Sequence, residues 1–138
     1  MAVWAEIPYI SRHMPGGREN TVSQMKELIY QNINHPSIIA FGGLSNEITM
    51  NGASDSSLIE ITVCSMIWCI KIDPTRPTTI AVLSMCDPGE EYVRIPDVLS
   101  YNHYFGWYGG KTDMYGPWFD KFHQKISRPC RRYERIRL

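Results

Sequence analysis

Between Ser37 and Glu47 the chain reads SIIAFGGLSNE, a short run that is apolar at nearly every position and ends in small residues followed by a carboxamide and a carboxylate side by side. A strand with one wet face alternates apolar and polar residues, so a run apolar on both faces marks a strand buried on both, as in the centre of a parallel sheet flanked by helices. His35-Pro36 bounds the run before and Asn46-Glu47 after. In α/β folds the chemistry gathers at the carboxyl ends of the strands, and Asn46 and Glu47 stand at that end. A carboxamide beside a general acid suits a site that holds a sugar hydroxyl while a glycosidic oxygen is protonated. A glutamate after a strand is also a common helix cap or surface acid.

Three further apolar runs, Ala2 to Ile10, Thr78 to Ser84 and Val98 to Phe105, read as companion strands. After the first comes a polar loop, Ser11 to Asn20, then a stretch from Thr21 that places Val22, Met25, Leu28 and Ile29 at helical spacing behind a plausible N-cap. Tyr115 to Ile126 sets Trp118, Phe119, Phe122 and Ile126 on one helical face, whereas Asp87 to Ile95 is too short for a long helix. The alternation of strand and helix predicts parallel strands joined by right-handed crossovers. Leu58 to Ile72 occupies a helix position without a polar face: Glu60 and Lys71 are its charges, and a shifted reading frame would leave such a pattern.

At 138 residues the chain is at most one domain, long enough to bury about two thirds of its unfolded surface. Fourteen basic residues balance fourteen acidic ones, so net charge recruits neither nucleic acid nor an anionic membrane. No run approaches the roughly 20 apolar residues of a membrane helix, and no leader pattern opens the chain, which predicts a cytoplasmic protein. Cys64, Cys69, Cys86 and Cys130 lack CxxC spacing, and the four histidines form no zinc-like cluster, so no metal and no cofactor are expected. Arg128 to Leu138 carries five arginines and reads as a solvated basic tail, giving a domain over 1–126 and a tail over 127–138.

The strings VWAEIPYISRHMPGG through NHPSIIAFGGLSNE, then KIDPTRPTTIAVLSMCD, then YNHYFGWYGG with GPWFDKFHQK, together resemble the catalytic barrel of glycoside hydrolase family 2, the β-galactosidases and β-glucuronidases. The resemblance implies a partial, roughly half TIM (β/α)8 barrel holding about strands three to six. It also implies a β-galactosidase-type, retaining glycosidase acting on a β-galactoside or related carbohydrate. Glu47 matches the family acid/base and Asn46 the asparagine that binds the sugar, while Asn102, Tyr104, Trp107 and Tyr108 match the aromatic block that lines the pocket. Ordinary packing of a Tyr/Trp cluster is the competing reading for Trp107 and Tyr108. Glu6 ends the first run facing the same mouth, as a substrate ligand, a group tuning Glu47 or a structural acid, and His103 is the histidine placed near the pocket. His35 reads as structural, and Arg76 as a turn and ion-pair residue.

The match has departures. The family nucleophile lies in a string such as PIGLSEYG, and the chain reads SRPCRRYERIRL where that string is due; Phe41-Gly42-Gly43-Leu44 carries one glycine more than the usual pattern, which predicts a bulge or a register shift next to Glu47. Half a barrel has two open edges and an uncovered inner face, which predicts a homo-oligomer, a dimer above all, whose copies close their edges against each other and bury the apolar inner face across a two-fold axis. The alternatives to a glycosidase are a non-catalytic, truncated or frame-shifted barrel fragment that self-associates and at most binds sugar weakly, and a metal-assisted hydrolase using Glu6, Glu47 and His103.

Overall fold

Four strands, β1 (Val3–Glu6), β2 (Ile38–Gly42), β3 (Thr78–Leu83) and β4 (Val98–Asn102), lie side by side in chain order, every neighbouring pair parallel. This is a computed structural model, and it describes residues 1–8, 14–43 and 56–125. Each strand begins inside an apolar run of the sequence and stops before its end. Three helices accompany them: α1 (Arg18–Asn32), α2 (Ser56–Ile72) and α3 (Tyr115–Lys125). The architecture is α/β with parallel strands, as the alternation of elements predicts.

The register separates the two faces of the sheet. Phe41, Thr78, Ile80, Val82, Leu99 and Tyr101 point one way and, with Ile38, meet Met25 and Ile29 of α1 and Leu58, Ile61 and Cys69 of α2 in one apolar core. Tyr92 and Val93, in a 3-10 turn between β3 and β4, complete it. The opposite face carries Trp4, Glu6, Ala40, Gly42, Thr79, Ala81, Leu83, Val98, Ser100 and Asn102. That face is mixed: Glu6, Thr79, Ser100 and Asn102 stand among Trp4, Leu83, Val98 and small residues, which corrects the expectation of a wholly apolar inner surface.

Helix α1 starts three residues before Thr21, following a 3-10 turn at Pro15–Gly17. Thr21 is therefore not the N-cap: it lies one turn inside, where its hydroxyl donates to the Gly17 carbonyl at 2.8 Å. Despite lacking a polar face, α2 is a regular helix. It buries Leu58, Ile61, Thr62, Ser65, Met66 and Cys69, and its exposed side is covered at Trp68 by the ammonium of Lys26 from α1 at 3.6 Å together with its own Lys71 at 5.2 Å.

The start of β2 is fastened by the DPTRP string. Arg76 pairs with Asp73 and donates to three carbonyls, Ile38 at 2.7 Å, Ile33 at 2.9 Å and His35 at 3.2 Å. Burial alone would raise the Asp73 carboxyl, but hydrogen bonds from Thr75 and the Arg76 guanidinium outweigh it and hold the group below its ordinary value. Asp97 does the same for β3, accepting from the Thr78 amide and hydroxyl at 2.9 and 3.0 Å. Arg76 and His35 thus sit at the end of the sheet opposite the carboxyl ends of the strands.

A register irregularity lies at the start of β2, while the segment next to Glu47, where the surplus glycine predicts one, lies outside the described residues. Val3 pairs with Ile38 but Trp4 with Ala40, so Ile39 is skipped and left 56% exposed, near the start of β2. The paired glycines serve close packing. A Cβ on Gly42 would lie 2.4 Å from Trp4 Nε1 on the inner side, and one on Gly43 2.8 Å from Met66 Cε and 3.2 Å from Ser65 Cβ on the helix side.

Candidate active site

The carboxyl ends of the four strands open on one side of the molecule, and the sequence candidates divide between that opening and its surroundings. Asn46 and Glu47 lie outside the described residues. The strand that leads to them is described up to Gly43, whose amide donates to the Thr79 carbonyl at 3.3 Å, so β2 is still held to β3 at the point where the turn begins.

Glu6 closes β1 directly beside Gly42 of β2. Its side chain is exposed on the inner face, and partial desolvation by the surrounding sheet raises its carboxyl above the ordinary value. Without a side chain, Gly42 leaves room there for the Trp4 indole, whose Nε1 lies over it next to the Glu6 Cβ. Thr79 follows Gly42 in the same row, its hydroxyl buried and unpartnered among the described residues. Indole, carboxyl and hydroxyl therefore surround one glycine on the inner face. The sequence reading missed Trp4 and Thr79; the period-two alternation of Trp4 with Glu6 is the signal that places them together.

Asn102 ends β4 on the same face, its carbonyl accepting from the Ser84 hydroxyl at 2.7 Å. It stands three strands from Glu6 and four residues beyond Val98, the β4 residue in the Glu6 row, so three strand spacings of roughly 14 Å and about 13 Å of strand rise lie between them. The chain then turns outward. Tyr104 accepts through its carbonyl from the amides of Trp107 and Tyr108 at 3.0 and 3.2 Å, and its ring meets that of Tyr108 edge-on at 5.4 Å. Gly106 and Gly110 take φ of 85° and 68°, which side chains rarely adopt, and the turn they make throws Trp107 and Tyr108 out, 80% and 82% exposed. These two rings pack into no core.

His103 faces the other way. Its ring stacks on Tyr101 at 5.4 Å and Phe105 at 5.2 Å and meets Trp118 of α3 edge-on at 3.8 Å, behind the sheet rather than in the opening. The structure does not bring His103 and Glu6 together, and among the described residues no group of three His, Cys, Asp or Glu side chains could hold a metal ion. Trp118 and Phe122 pack on Tyr101, while Phe119 of the same helix stays 45% exposed; Ile126 lies outside the described residues, as do Cys130 and the basic tail. No described helix is long and apolar enough to cross a membrane.

No family model matches the chain. A β-glucuronidase of Bacteroides fragilis is 35% identical to it over 91% of its length, and the chain spans 18% of that enzyme. Among solved structures, an FMN-binding β-glucuronidase from Facaelibacterium prausnitzii L2-6 superposes with a TM-score of 0.84 at 47% identity, covering 94% of this chain and 20% of that one. A putative β-galactosidase from Bacteroides fragilis gives 0.75 at 29% identity, covering 91% and 18%. A Bacteroides uniformis β-glucuronidase 2, covalently bound to cyclophellitol-6-carboxylate aziridine, gives 0.77 at 28%, covering 94% and 17%. Over nearly its whole length the chain resembles one segment, about a fifth, of β-glucuronidases and β-galactosidases of the glycoside hydrolase family 2 type.

Proposed function

We propose that the chain is a segment of a TIM-type glycosidase barrel, about its third to sixth strands, and that Glu47 is the general acid/base of a retaining hydrolysis of β-linked galactosides or glucuronides. The observation that carries this is the superposition on a β-glucuronidase at 47% identity over 94% of the chain. In this reading Glu47 protonates the glycosidic oxygen as the bond to the leaving group lengthens, then removes a proton from the attacking water in the second half-reaction. Asn46 holds the sugar hydroxyl beside the reacting carbon, where a hydrogen bond that strengthens in the transition state raises the rate. Asn102 and Tyr104 bound the other side of the opening, and the outward Trp107 and Tyr108 offer flat apolar faces to a sugar ring. His103 enters only through the loop it supports from behind.

A retaining enzyme needs a second carboxyl about 5 to 5.5 Å from the first. Glu6, on the strand next to the one that leads to Glu47, supplies it or tunes the acid; a carboxylate from a second copy is the other source. Hydrolysis of chromogenic β-galactoside and β-glucuronide by wild type beside Glu47→Gln tests the proposal. Turnover that falls by several orders of magnitude in the variant supports it; equal turnover overturns it.

A second reading is favoured by the sheet itself, in which β1 and β4 each have a neighbour on one side only among the described residues. In it the chain self-associates through those edges and binds sugar without turning it over. Absence of hydrolysis together with a dimer mass by light scattering would select it over the first.

A further inference from the structure

The aromatic loop and α3 meet the sheet at the end of β4, where Trp118 and Phe122 pack on Tyr101 and the His103 ring meets both Phe105 of the loop and Trp118 of α3. His103 follows the last residue of β4, and it precedes the stretch that carries Tyr104, Trp107 and Tyr108. Its ring is 9% exposed and lies nearly parallel to Tyr101 on one side and Phe105 on the other, with interplanar angles of 13° and 9°. Trp118 closes the third side, edge-on. Its carbonyl accepts from the Tyr115 hydroxyl at 2.9 Å, so the first turn of α3 is tied to the same residue. Neither ring nitrogen has a hydrogen-bond partner among the described residues.

A neutral imidazole is a good filler for such a slot, because it is flat and packs like an aromatic ring. An imidazolium is a poor one, because both N–H groups become donors and the charge is removed from water. We propose that His103 is an acid-sensitive latch, whose protonation releases residues 104–125, the aromatic loop and α3, from the end of the sheet.

The groups around it offer little to hold a charge. From β4 the titratable neighbour is Tyr101, whose hydroxyl donates to the Cys86 carbonyl at 3.3 Å and is pushed far up, first by burial and then by Cys86 and Asp87. From α3 it is Tyr115, engaged with the His103 carbonyl, and Trp118 brings no charge. Phe105 is the loop's contact. Asp113 and Lys121, of opposite sign, line a cavity of about 370 Å3 together with Phe105 and Trp118, and His123 lies against Phe119 and Phe122. The rings can offer cation–π attraction, which is weaker than the hydration the charge loses when it is enclosed. Burial accordingly lowers the His103 titration below its ordinary value. The sign follows from linkage: the closed state binds fewer protons than the open one, so closure is complete above about pH 6.5 and is lost as the pH falls toward the lowered midpoint.

The test stands apart from the glycosidase reading, since it measures the latch on the full chain without substrate. The His103 ring is titrated by NMR, and amide hydrogen exchange of 104–125 is followed from pH 7.5 to 4.5, corrected for intrinsic rates. The latch predicts a His103 midpoint below that of a free histidine, and exchange that accelerates on acidification by about tenfold for each unit of that depression. His103→Phe, which keeps the stack and the Tyr115 hydrogen bond but cannot be charged, is expected to exchange at a rate independent of pH over this range. An ordinary or raised midpoint, or an acid response identical in His103→Phe, overturns the proposal. Because midpoint and exchange are both read on the wild type, their agreement is decisive even if the variant does not fold.

Discussion

Replacing Arg76 by alanine removes the contact that ties the segment between α1 and β2 to the segment between α2 and β3. The guanidinium pairs with Asp73, whose side chain is 4% exposed, and satisfies the carbonyls of Ile33, His35 and Ile38. Truncating one member of a buried pair costs about 3 to 5 kcal/mol, because the remaining charge stays enclosed. Asp73 would keep the amide and hydroxyl of Thr75, so the low end applies, about 3 kcal/mol. With a urea m-value of about 2 kcal/mol/M, the midpoint should fall by about 1.5 M with an unchanged slope. Arg76→Lys keeps the charge but loses the fork and should lie between the two. The pH dependence follows from the lowered Asp73 carboxyl: its share of stability is full above the unfolded value of about 3.9 and is lost as the pH falls through the folded one. The gap between wild type and Arg76→Ala should therefore narrow on acidification below about pH 4. A loss under about 1 kcal/mol, or a gap that widens in acid, would refute the clamp as the holder of β2.

Gly42→Ala sets a methyl against the Trp4 indole and should cost about 1 to 3 kcal/mol; in a Trp4→Ala background the penalty should shrink by more than about 0.5 kcal/mol, and strict additivity in the double-mutant cycle would show that the two do not meet. Burial pushes the Cys69 thiol up to about 12, so at pH 8 its alkylation should lag far behind that of the half-buried Cys64 until the chain unfolds. Equal labelling, resolved by peptide mass, would contradict that burial.

The strands were legible because their runs are apolar enough to announce burial, and the DPTRP string because a buried ion pair and a proline turn leave an unmistakable spacing. Helix α2 was harder to read, since part of its polar cover comes from Lys26 on another element, and periodicity within one segment carries no record of that. A surplus small residue can mark either an irregular ladder or a close approach, and the neighbours of Gly42 and Gly43, Trp4 on one side and Met66 on the other, show the close approach, which a sequence pattern does not record. The places of Glu6 and Asn102 at strand ends were readable from the ends of the apolar runs. His103 lies two positions after Tyr101, so the period-two alternation continued past the strand puts its ring on the helix side, opposite Asn102; membership of the aromatic block alone does not carry that information.

The mixed inner face bears on how the two edges would be closed. Were the face apolar, two copies could simply press sheet on sheet. With Glu6, Thr79, Ser100 and Asn102 among its residues, such a contact would strand polar groups in a dry interface. Pairing β1 of one copy with β4 of the other avoids this. A two-fold axis parallel to the strands makes both junctions identical, keeps all eight strands parallel and turns the polar side chains toward a shared interior. It also brings a neighbouring strand beside the exposed Trp4 at 37% and Val98 at 45%, which lie on the two edge strands. Self-association and a carbohydrate-binding interior are therefore compatible, because the contact that completes the edges leaves the carboxyl ends of the strands open.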